Sequence, residues 1–151
     1  MSTINNDTQM REAVNGMSVT EQRQVAALFV KNVASLSKDA RIERTIETAA
    51  NPAASEEELS NAFKAAKAAA LEAHTRCGSD GEWNDQAGYF VARAAEAAVA
   101  PQVRSHGKGP AWQAAMSSRM ARTCLAADSD EDAHDSESHA QYQILNDHLN
   151  S

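Results

Sequence analysis

The apolar residues of this chain recur three and four positions apart, the spacing of one helix face. Met10, Ala13 and Val14 make a short stripe that Asp7 or Thr8 would cap and Asn15-Gly16 would end. The residues before it, through Asn6, read as loose. Ser18 with Glu21 is an S-x-x-E capping box, in which the Ser side chain accepts from a free backbone N–H and the Glu reaches back to the cap. Val25, Leu28, Phe29, Val33 and Leu36 follow at helical spacing and predict a helix from 19 to 36. Ser37 or Asp39 opens a helix with Ile42, Ile46 and Ala49 inward. It stops at Asn51-Pro52, because the residue before proline disfavours the helical region. Ser55 with Glu58 is a second capping box. It starts the clearest helix, 56 to about 76, striped by Leu59, Phe63, Ala66, Ala70, Ala73 or His74, and Cys77.

Gly78-Ser79-Asp80-Gly81 reads as a turn. A helix over 83–100 then points Trp83, Ala87, Phe90, Val91, Ala94 and Ala98 inward. A loop over 101–109 leads to Pro110, which suits a first helical position because its missing N–H would have no partner there. Trp112, Met116, Met120 and Cys124 form the next stripe. Residues 128–137 read as an acidic linker, after which Ser138 with Gln141 caps a last amphipathic helix, 138–151, bearing Tyr142, Leu145 and Leu149. The expectation is an all-α, single-domain bundle of about five to seven helices, mostly antiparallel because the connections are short. Its parts are a loose segment with a short helix (1–17), the bundle (18–127), the linker and the last helix. The core is expected to contain Phe63, Ala66, Ala70, Phe90, Val91, Ala94, Trp112 and Met116.

Composition sharpens this picture. Apolar residues are 42% of the 151, but about half of them are alanine, and aromatics are only 5%. Alanine is the strongest helix former and supplies little buried area, so helices must approach closely to build a core. The longest strongly apolar run, Val25–Val30, is far short of the roughly 20 residues of a membrane span. No basic, apolar leader opens the chain. The expectation is a cytoplasmic protein with Cys77 and Cys124 reduced. The charge of −7 is concentrated after Ala127, where seven acids meet no Lys or Arg, leaving the preceding residues balanced at 14 of each sign. A neutral body without a basic stripe argues against nucleic acid as a partner.

Four constellations offer chemistry. His74 and Cys77, an imidazole and a thiol one turn apart, are candidate metal ligands with Cys124, against the plainer reading of a histidine at the core edge and a small buried thiol. The same pair brings no oxyanion site and therefore no nucleophilic catalysis. Arg104 and Lys108, in a glycine-containing loop before a helix, are candidate anion-binding residues, against a plain connecting loop. Residues 128–139 resemble the front half of a calcium loop. They place Ala133 where glycine is needed and His139 where the bidentate glutamate is needed.

Asp39-Ala-Arg41-Ile42 with Ile46-Glu47, then the alanine-rich run from Ala62 to His74, then Ala87-Gly88-Tyr-Phe-Val-Ala92-Arg93-Ala94-Ala95 together resemble immunity proteins of bacterial polymorphic toxin systems, over residues 36–125. That resemblance implies a stoichiometric toxin-binding protein with no catalytic residue; no cofactor is expected. From the residues themselves the expected function is a small, non-catalytic helical interaction module, an immunity or adaptor protein. Its partner-binding candidates are Asp128, Asp130, Glu131, Asp132, Tyr142, Leu145 and Leu149, an acidic and amphipathic set suited to a basic protein surface. The alternative is a ligand- or metal-binding bundle using His74, Cys77 and Cys124.

Overall fold

The computed structural model describes residues 3–80, 83–101, 109–125 and 133–150. Among them are seven α-helices and no strand: α1 (Asp7–Asn15), α2 (Val19–Val33), α3 (Ala40–Ala50), α4 (Glu56–Asp80), α5 (Trp83–Val99), α6 (Pro110–Leu125) and α7 (Ala133–Leu149). A 3₁₀ turn at Ala34–Leu36 tightens the end of α2. The chain is an all-α bundle, and no described helix is long and apolar enough to cross a membrane.

Local chemistry sets the helix starts. The Ser55–Glu58 box closes in both directions, with Glu58 N–H donating to Ser55 Oγ at 3.0 Å and Ser55 N–H to Glu58 Oε1 at 2.9 Å. Ser18 caps α2 by accepting from Glu21 N–H, but the Glu21 carboxylate turns to His148 instead of reaching back. Asp39 caps α3 and also holds the Arg41 guanidinium, which bridges to Glu72 on α4. These two carboxylates raise the Arg41 pKa above its ordinary value. Asn6, not Asp7 or Thr8, caps α1. Asp7 is committed elsewhere, as described below.

Side-chain pairs give the helix directions. His74 stacks near Tyr89 across α4 and α5. Asn32 meets Glu137 while Glu21 meets His148, which sets α2 antiparallel to α7. Arg122 meets Glu137 while Arg119 meets Gln141, so α6 is antiparallel to α7.

Two apolar clusters hold the bundle. The larger joins α2 to α6 through Val30, Val33, Ile42, Ala66, Ala70, Val91, Ala94, Ala98 and Ala114, with Phe63 and Phe90 at its rim. Alanine at the helix crossings draws the backbones together, which leaves no room for a ring between them and pushes the two Phe outward. The smaller cluster joins Ile4, Met10 and Val14 to Val25, Phe29, Ala111, Ala115 and Leu145.

Several expected boundaries move. Among the described residues the N-terminal segment is anchored at Ile4, which is buried and exchanges two hydrogen bonds with Asn146. The stretch 78–80 continues α4 instead of turning. Residues 133–137 are helical and not linker; α7 begins at Ala133, so Ser138 and Gln141 lie buried inside it and cap nothing. The half of the calcium-like loop from Ala133 to His139 is therefore helix. Leu28, placed on the buried stripe of α2, is exposed.

Candidate functional site

Helix α6 turns its faces the opposite way from the expected stripe. Its inward arc consists of Ala111, Ala114, Ala115, Ser118, Arg119 and Ala121, all buried. Trp112 and Met116 are only half-buried, and Met120 is 45% exposed. At four-residue spacing these three share one side of the helix. Cys124, expected with them, is buried. Trp112 and Met116 thus pack at the edge of the smaller cluster with part of their surface open, and Met120 continues the same row into solvent.

That row lies between two arginines. Arg11 of α1 stacks on the Trp112 ring at 4.3 Å. On the other side, Gln113 and Ser117 of α6 join Phe63, Arg93, Glu96 and Ala97 around an open groove of about 400 Å³. Arg93 pairs with Glu96 at 3.5 Å and reaches the Tyr89 hydroxyl.

The reason for the inversion is Arg119. Its side chain is 2% exposed, and every nitrogen of its guanidinium is engaged. Nε donates to Gln141 Oε1 at 2.8 Å, while Nη1 and Nη2 donate to the Asp7 carboxylate at 3.0 and 2.8 Å. Met10 sulfur lies 3.7 Å from Nη2, and the Tyr142 ring centroid 5.9 Å from the guanidinium carbon. Gln141 completes its own bonding by donating to the Ala115 carbonyl, and Tyr142 Oη donates to Asp7 at 2.7 Å. Burial, followed by this bond to Asp7, raises the Tyr142 pKa and keeps the phenol a donor. A buried guanidinium is tolerated only when paired and fully hydrogen-bonded. These partners lie on the side of α6 that faces α1 and α7, and the Trp112 row is left half-buried to exposed at the edge of the smaller cluster.

One turn on, Glu137 is buried between Arg122 Nε (3.2 Å) and Asn32 Nδ2 (2.8 Å), while Arg122 also donates to the Asn32 carbonyl. The sequence pattern places Glu137 at the end of an acidic linker, 128–137. Its partner lies fifteen positions away, beyond the reach of any local pattern.

The expected site residues are dispersed. Leu145 is fully buried in the smaller cluster, Tyr142 is half-buried with its hydroxyl on Asp7, and Leu149 is exposed. Asp128, Asp130, Glu131, Asp132, Arg104 and Lys108 lie outside the described residues. His74 is exposed beside Tyr89 and not at the core edge; the Cys77 side chain lies outside the described residues, and Cys124 is buried on α6. Among the described residues, no group of three or more His, Cys, Asp or Glu is placed to hold a metal ion. No protein-family model, curated protein or solved structure matches this chain.

Proposed function

We propose that this chain is a non-catalytic helical interaction module, of the immunity or adaptor kind, that binds a protein partner through the outward face of α6. The observation that carries the reading is the Trp112–Met116–Met120 path. Other exposed large apolar residues, such as Leu28, Leu71 and Leu149, are scattered over α2, α4 and α7, as on any protein surface. A row of Trp and Met over three successive turns of one helix, half-buried at Trp112 and Met116 and exposed at Met120, is different. Tryptophan and methionine are favoured at contact surfaces, the first for area at low entropy cost and the second for its adaptability. The carboxylates beyond Ala127 would steer a partner that also carries basic charge.

The test is to compare the wild-type chain with a Met120→Glu variant as bait in a lysate of the source organism. Met120 is exposed, so the variant should keep the wild-type melting curve. One protein should be retained in stoichiometric amount by the wild type and at least about tenfold less by the variant, since a charge would be desolvated within the contact. Equal retention by both baits would remove α6 as the contact surface.

A further inference from the structure

We propose that the two ends of the chain form one clasp that opens and closes as a unit on a body built from α2 to α6. This inference is independent of the α6 contact surface. Its first support is the division of the core. Residues from α1 and α7 enter only the smaller apolar cluster, which meets α2 and α6 through Val25, Phe29, Ala111 and Ala115. The larger cluster contains none of them. A core divided this way has a natural plane of separation.

The second support is that the ends are tied to each other as well as to the body. Ile4 N–H donates to Asn146 Oδ1 at 2.9 Å, and Asn146 Nδ2 donates to the Ile4 carbonyl at 3.0 Å. Asp7 accepts from Tyr142 of α7 and from Arg119 of α6 at once. Releasing α7 alone would break these bonds. Releasing both keeps the bonds between the ends intact.

The third support is what opening would uncover. Among the described residues, α7 contributes a single fully buried apolar side chain, Leu145; its other buried groups are Glu137, Ser138 and Gln141. The body face beneath carries Arg119 and Arg122, which hold groups of the two ends. Water would solvate both. The face under the clasp is therefore suited to exposure in a way that the alanine crossings of α4 and α5 are not. Opening presents Val25, Phe29, Ala111 and Ala115 as an apolar groove flanked by two guanidinium groups.

Residue-resolved amide hydrogen exchange on the full chain, across sub-denaturing urea, tests this. The amides of Met10, Val14, Gln141 and Leu145 should follow one common opening isotherm, at least about tenfold less protected than Ala66, Ala70, Val91 and Ala94. Glu137→Gln, which weakens the ties of α7 to Arg122 and Asn32 that opening breaks, should accelerate exchange in α1 and α7 by the same factor and leave α4 and α5 unchanged. The proposal is overturned if α1 and α7 follow different isotherms. It is equally overturned if all helices share the global one.

Discussion

Asp7→Ala is expected to destabilise the chain more than Arg119→Met, even though the arginine makes more bonds. Asp7 is 49% exposed and Arg119 is 2% exposed. Removing Asp7 leaves a buried cation without the carboxylate that it holds; a fully buried pair broken in this way costs about 3–5 kcal/mol, and the half-exposed Asp7 side, which admits water, puts the loss at the lower end of that range. Replacing Arg119 by Met removes the buried charge itself. The carboxylate left behind is hydrated where it stands, and the loss is mainly the orphaned Gln141 carbonyl, about 1–3 kcal/mol. Urea unfolding of both variants gives the comparison directly. An Arg119→Met loss equal to or above that of Asp7→Ala would mean that the guanidinium is not desolvated as described.

Truncation after Ala127 should lower the melting temperature by roughly 10–20 °C. It removes Leu145, whose burial is worth about 2–3 kcal/mol, together with the groups that satisfy Arg119, Arg122 and Asn32. Arg119 keeps Asp7 and gains water, so the polar loss is a further one to two kcal/mol on the scale of net hydrogen-bond contributions. A chain of this size loses about 3–5 °C per kcal/mol. Differential scanning calorimetry measures the shift. An unchanged melting temperature would mean that α7 is not part of the folded unit and would return the C-terminal helix to the role of a free docking element.

The sequence disclosed the helices more readily than their faces. Capping boxes, prolines and apolar spacing located the starts of α2, α3, α4 and α6, since each depends on neighbours within one turn. Orientation failed at α6, and for a definite reason. The pattern rule takes the largest apolar residues as the inward face, which selected Trp112, Met116 and Met120. The face was decided instead by Arg119, whose partners Asp7 and Gln141 lie 112 and 22 positions away. An alanine on either side of a helix satisfies the same spacing, so Ala111, Ala114 and Ala115 gave no contrary signal. The same distance effect hid Glu137 and Asn32. An arginine inside an alanine-rich helix, four positions after Ala115 and two before Ala121, was the one local hint that α6 buries a polar group.

The outward path on α6 is most directly tested by peroxide oxidation of the folded chain with peptide mapping by mass spectrometry. Thioether oxidation follows access of the reagent to sulfur. Met120, 45% exposed, should convert to the sulfoxide well before Met10, which is fully buried against Arg119, with the half-buried Met17 and Met116 between them. Conversion of Met120 no faster than Met10 would place its side chain inside the bundle and contradict the proposed contact surface.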